Sequence, residues 1–339
     1  MKPETLRLGV YSLGHFWVDF SCALLMFSLL SGRGEWALCV LLYNFCAFAL
    51  QMPIGLMADH MGRTGRTAAL GCVLAALAWP FAPLPLLSAV TAGLGNACFH
   101  VGGGVQILQD SREKSAALGI FVSPGAFGIC FGALPGAQDA VPGWAAAGGL
   151  ALFALLLALP ERRREGSARP DAGGPEPAPG RRALAALGCC FLVVVLRSYL
   201  GMVFSFPWKT GGWALGAVCA VVLGKAAGGF FGDWLGMTRA AVLSLGLSAA
   251  LFCLSASPAA GTAAVFLFNM TMPMTLWAAA RLLPGGNGFA FGTLTFALFL
   301  GFLPVWLGWP PLLTGGAGYA AGSLCSLGLL ALGLKWGRL

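Results

Sequence analysis

Residues 8–31, LGVYSLGHFWVDFSCALLMFSLLS, make an apolar run of the length a bilayer asks for, since ~20 helical residues at ~1.5 Å rise cross a ~30 Å hydrocarbon core. Two ionisable side chains interrupt it, His15 and Asp19. Four residues apart, they fall on one helix face, one above the other. A carboxylate inside a spanning helix costs roughly 2.5–3.5 kcal/mol and turns toward a polar interior, away from lipid. The stretch therefore predicts a polar cavity built around this face, enclosed by the remaining spans.

Composition agrees with a polytopic membrane protein. The 339 residues are 58% hydrophobic and 9% charged, with a mean hydropathy of +0.82, where a soluble domain carries about 25% charged residues. The 11 cysteines are scattered through apolar stretches with no C-x-x-C spacing. They read as small buried apolar side chains, and neither a zinc site nor a disulfide framework is suggested. The first apolar run is too long for a cleaved leader and lacks an A-x-A-like exit, so it is expected to stay as a helix.

Twelve hydrophobic segments follow from the pattern, at 8–31, 36–57, 67–82, 84–108, 115–134, 143–160, 183–206, 212–232, 240–256, 260–281, 287–308 and 311–334. Twelve crossings put both termini on one side of a cell (inner) membrane. Sixteen of the 20 basic residues, from Lys2 and Arg7 to Lys335 and Arg338, fall on that side, against Arg33 and Lys209 on the other. By the positive-inside rule both termini are cytoplasmic. The net charge of +8 is thus a topology signal, and no nucleic-acid partner is implied. The last two basic residues, Arg197 and Lys225, lie inside spans.

Residues 161–182, ERRREGSARPDAGGPEPAPGRR, are rich in Pro, Gly and charge and are expected to form a flexible cytoplasmic linker. The linker separates an N-terminal half, 1–160, from a C-terminal half, 183–339, each with six segments. A repeat relates them. Gly55, Asp59 and Gly62, followed by Arg63 and Arg66, stand at the end of the second segment; Gly229, Asp233 and Gly236, followed by Arg239, stand at the end of the eighth. Asn96 in the fourth segment is echoed by Asn269 in the tenth. Two halves with repeated helix order point to a transporter fold.

The G-x-x-x-D-x-x-G-R pattern from Gly55 to Arg63 resembles the loop motif of the major facilitator superfamily. The resemblance implies an all-α membrane fold of twelve transmembrane helices in two six-helix halves around a central cavity. It also implies that the motif glycines permit close helix approach, while Asp and Arg form a cytoplasmic charge latch. His60 departs from the usual Arg, and the second copy has Trp234 and Met237 where basic residues are expected, which predicts a weaker second latch. Ser123 to Gly128, SPGAFG, is similar to that family's small-residue and Pro hinge. Within the first half, Gly14 to Asp19 (GHFWVD) and Gly95 to His100 (GNACFH) are similar to the fosmidomycin-resistance branch, although Val101 stands where that branch has Pro. The branch resemblance implies proton-driven export of small anionic molecules.

By the same resemblance, the first, fourth, seventh and tenth helices line the cavity. They carry His15 and Asp19, His100, Arg197 with Tyr199, and Asn269. Helical rise puts His100 roughly 13 Å and Arg197 roughly 21 Å into their spans, near the midplane where a transporter site belongs. Asp19 is expected to carry the proton and His15 to share or tune it. His100, Arg197, Tyr199, Asn269 and Lys225 are expected to bind solute, the Arg197 fork taking its anionic end. One embedded acid faces two embedded permanent cations, so one positive charge at least lacks a protein partner. Arg197 pairing permanently with Asp19 is the structural alternative. Gly102, Gly103 and Gly104 are read as tight helix approach and not as a phosphate cradle. No cofactor is expected beyond a proton gradient as energy source, and nothing asks for more than a monomer.

The leading expectation is a proton-coupled secondary transporter for a small anionic or zwitterionic organic solute, an efflux antiporter with export favoured. A competing expectation takes His15, Asp19 and His100 as ligands in a divalent metal-ion transporter. Other classes are a non-transporting membrane sensor and an intramembrane enzyme using His and Asp as acid and base; the latter lacks a nucleophile motif and leaves the repeat unexplained.

Overall fold

In hydrocarbon only an element that satisfies its own backbone N–H and C=O groups survives, and the apolar runs accordingly fold as helices. The structure, a computed structural model, describes residues 3–111, 114–158 and 180–339. The expected linker therefore lies outside the described residues, except that Arg181 and Arg182 open a helix.

The helices of the first half are α1 (Pro3–Leu29), α2 (Trp36–Met61), α3 (Thr64–Leu77), α4 (Pro85–Ser111), α5 (Ala116–Gly132) and α6 (Gly143–Ala158). Those of the second half are α7 (Arg181–Val203), α8 (Gly211–Leu235), α9 (Met237–Cys253), α10 (Pro258–Leu282), α11 (Asn287–Trp306) and α12 (Gly315–Gly337). A single helical turn, Ala137–Ala140, sits between α5 and α6. Seven of these helices are long and apolar enough to cross a membrane: α1, α2, α7, α8, α10, α11 and α12. Their outer faces expose large apolar side chains such as Leu13, Leu192, Leu223 and Leu324, as an integral multi-pass membrane protein requires. α1 ends in a π-helical turn, Leu25–Leu29, and α2 contains another, Phe45–Ala49.

Packing repeats with a shift of six helices. α1 packs on α5, α3 on α4 and α6; correspondingly α7 packs on α11, α9 on α10 and α12. The halves meet mainly where α2 crosses α11 and α8 crosses α5. Both crossings bring backbones into contact. A Cβ added at Gly55 would lie 2.0 Å from the Gly288 carbonyl oxygen, and one at Gly229 would lie 2.5 Å from that of Ser115. The second glycine of each motif copy has a different reason. Gly62 (φ 61°) and Gly236 (φ 84°) end their helices with positive φ, which L side chains resist.

Candidate functional site

His15 and Asp19 point from α1 toward α4, where Asn96 and His100 also sit four residues apart on one face. All four side chains are buried. The Asn96 amide donates to Asp19 Oδ1 (2.8 Å), and Asp19 Oδ2 lies 3.2 Å from His15 Nε2. His100 Nε2 is 2.8 Å from His15 Nε2 and 3.7 Å from Asp19 Oδ1. The two remaining ring nitrogens face backbone carbonyls, His15 Nδ1 that of Phe121 (2.7 Å) and His100 Nδ1 that of Asn96 (2.9 Å). A carbonyl only accepts, so both Nδ1 atoms carry hydrogen, and the two Nε2 atoms face each other across the carboxylate. With both imidazoles neutral, Asp19 keeps its negative charge and accepts from the Asn96 amide; a cation shared with the two Nε2 atoms would balance it.

The SPGAFG segment explains how α5 comes so close. A Cβ at Gly125 would lie 2.3 Å from both Asp19 Oδ2 and His15 Nε2, and one at Gly128 would meet the Phe16 carbonyl at 2.4 Å. Side chains at either place would push α5 off the polar face of α1. The Gly102–Gly104 run likewise lets neighbours approach: a Cβ at Gly102 would fall 2.4 Å from the Ala68 nitrogen, and one at Gly104 would strike the Phe291 ring.

The second half presents the opposite situation. Arg197 on α7 is buried, its Nη1 has no hydrogen-bond partner, and among the described residues no acidic side chain pairs with it. The structural alternative of an Arg197–Asp19 pair is not formed. Lys225 on α8 donates to the Val122 carbonyl at 3.4 Å, one residue from the carbonyl that His15 uses, and it interacts electrostatically with both Arg197 and Asp19. Asn269 is buried and donates to its own helix at Val265; its Cβ would be 3.2 Å from a Cβ at Gly224, beside Lys225. The Tyr199 hydroxyl exchanges hydrogen bonds with the backbone of Leu312 in the α11–α12 loop, which fixes it to that loop.

At the other end of the molecule the two motif acids bridge the halves. Asp59 accepts from the Gly288 and Phe289 amides (2.7 and 2.8 Å) at the start of α11. Asp233 accepts from the Ser115 amide (2.7 Å), the Ser115 hydroxyl (2.9 Å) and the Ala116 amide (3.0 Å) at the start of α5. A helix N-terminus carries free N–H groups and a partial positive charge, so a carboxylate suits it. The expected Asp–Arg latch is thus an Asp–helix clasp: no ion pair joins Asp59 to Arg63 or Arg66, or Asp233 to Arg239, among the described residues. Nor is the second clasp the poorer in hydrogen bonds, because its partners are two backbone amides and the Ser115 hydroxyl, and the missing basic residue takes no part.

Sequence reasoning did not find Asn96 as a partner of Asp19, although its i, i+4 spacing to His100 was a usable signal. The Phe121 carbonyl and the Ser115 amide carry no side-chain signature at all.

No protein-family model and no curated protein matches the chain. Solved structures do. A fucose:proton symporter of E. coli, FucP, superposes with a TM-score of 0.69 at 15% identity over 99% of both chains. FucP described as a major facilitator superfamily transporter in the outward conformation gives the same score and identity, over 100% of this chain and 98% of that one. A bacterial homologue of the iron transporter ferroportin, in an outward-facing state, gives 0.63 at 15% over the whole of both chains. The fold is therefore that of the major facilitator transporters.

Proposed function

We propose that the protein is a secondary active transporter that crosses the inner membrane twelve times and carries a small anionic or zwitterionic organic solute by alternating access. One observation carries this reading: Arg197 is a buried cation whose Nη1 has no hydrogen-bond partner and which has no acidic side chain within ion-pair distance among the described residues, and the partly buried Lys225 adds a second positive charge within its electrostatic reach. Burying a charge unpaired is costly, and a solute anion supplies the missing partner through guanidinium and ammonium contacts. His100 on α4 and Asn269 on α10 are the further solute contacts proposed.

Proton coupling is part of the proposal. Asp19 and His15 form a buried acid–base pair of the kind that proton relays use, and the fold is shared with a fucose:proton symporter. Both termini are taken as cytoplasmic from the distribution of basic residues, which makes the clasped end the cytoplasmic one. The structure is then closed toward the cytoplasm, in keeping with similar structures described as outward-facing. Export by proton antiport is the direction proposed, by a monomer that performs no catalysis.

Uptake of labelled carboxylates, phosphonates and amino-acid-like zwitterions into proteoliposomes under an imposed pH gradient tests it. Solute movement against the proton flow is expected, lost in Asp19→Asn; movement with the flow would make the protein a symporter. Arg197→Ala is expected to abolish the thermal-stability shift that a transported solute produces. Unchanged gradient-driven transport in Asp19→Asn overturns the proton role.

A further inference from the structure

The three lone-pair donors beside α4 have a second use that does not depend on which solute the cavity takes. We infer that His15 Nε2, His100 Nε2 and Asp19 form a binding site for one divalent first-row transition-metal ion, with open positions for water or an anion.

Four features support it. The three donor groups lie within 4.8 Å of one another, all on buried residues. Their separations, 2.8, 3.2 and 3.7 Å, bracket the ~3.0–3.4 Å between neighbouring ligands around an ion with bonds of ~2.1 Å. The tautomers are already set for ligation. Each imidazole gives its Nδ1–H to a backbone carbonyl and leaves Nε2 bare, which is the outer support that metal-binding histidines characteristically have. The carboxylate is held in turn by the Asn96 amide. Finally, two Nε2 lone pairs at 2.8 Å are relieved either by a proton shared between them or, with a few tenths of an ångström of opening, by a metal ion, and two imidazoles with one carboxylate suit Fe2+, Co2+ or Zn2+ better than Mg2+ or Ca2+. Gly125 keeps the neighbouring helix from filling the space in front of the donors. Lys225 interacts electrostatically with His100 and Asp19; its charge opposes a metal ion and weakens the site without removing any ligand.

Titration of the full-length, tag-free protein in detergent with Co2+, read by its visible absorption bands, tests the inference without any transport measurement. One Co2+ per chain is expected, displaced by Zn2+. Affinity should fall at least ~10-fold in His15→Gln and His100→Gln, each shown folded by circular dichroism, and stay constant in His60→Gln, whose ring is exposed on α2. Lys225→Met should tighten binding. Absence of saturable one-to-one binding in the wild-type protein overturns the inference, and that titration decides even where a variant does not fold. Affinity unchanged in folded His15→Gln and His100→Gln overturns it as well. Because metal binding is read directly, its failure leaves the solute-transport reading standing, and the reverse holds.

Discussion

The two halves bury charge in opposite ways. On α1 and α4 an acid, two imidazoles and an amide gather within hydrogen-bond distance, so the first half surrounds its one buried acid with polar groups of its own. On α7 an arginine is buried, and on α8 a lysine is partly buried, with no acid within ion-pair distance among the described residues. Buried pairs break even at best, whereas an uncompensated buried charge is a standing cost that something outside the chain must relieve. One half gathers lone pairs around a single acid; the other holds a cation that an anion would meet.

That contrast can be broken by mutation. Asp19→Ala strands two imidazoles and the Asn96 amide, and should lower stability in detergent by about 3–5 kcal/mol, measured by thermal unfolding. Arg197→Met removes an unpaired charge and keeps the bulk. Without solute it should be neutral or stabilising, by up to about 1–4 kcal/mol, while abolishing solute-induced stabilisation. A loss as large as that of Asp19→Ala would mean that Arg197 has a partner and that the halves do not differ. Gly125→Ala sharpens the comparison from the first half's side. Its Cβ must displace Asp19 or His15, at about 1–3 kcal/mol, whereas alanine at Gly188 on α7, which meets no atom within 4 Å, should cost nothing measurable. The smallest effects belong to the clasps. Asp59→Asn and Asp233→Asn should each weaken closure by about 1 kcal/mol. Amide exchange would rise roughly fivefold at Gly288 and Phe289 in the first variant and at Ser115 and Ala116 in the second.

Much of the site was legible because it follows i, i+4 spacing. His15 with Asp19 on α1 is visible directly, and His100 is the only other histidine inside an apolar segment. The charge count also anticipated a cation without a partner, since Asp19 was the only embedded acid against Arg197 and Lys225. What stayed hidden depends on backbone groups. The carbonyls that set both imidazole tautomers, and the amides that Asp59 and Asp233 grip, exist at every residue and so mark none. The family resemblance implies a latch between Asp and Arg because a motif records side chains and no backbone amides. The motif glycines were read alike as close-approach residues, yet Gly55 and Gly229 serve contact while Gly62 and Gly236 serve a positive φ.

Because each clasp takes hold of peptide N–H groups, half of the lock is written in no particular amino acid. Phe289 and Ala116 are free to become almost anything without loosening it. Proline is the exception: it has no hydrogen to give, yet a helix accepts it in its first turn, so Ala116→Pro would cut one bond of the lock and leave the bolt's own helix intact.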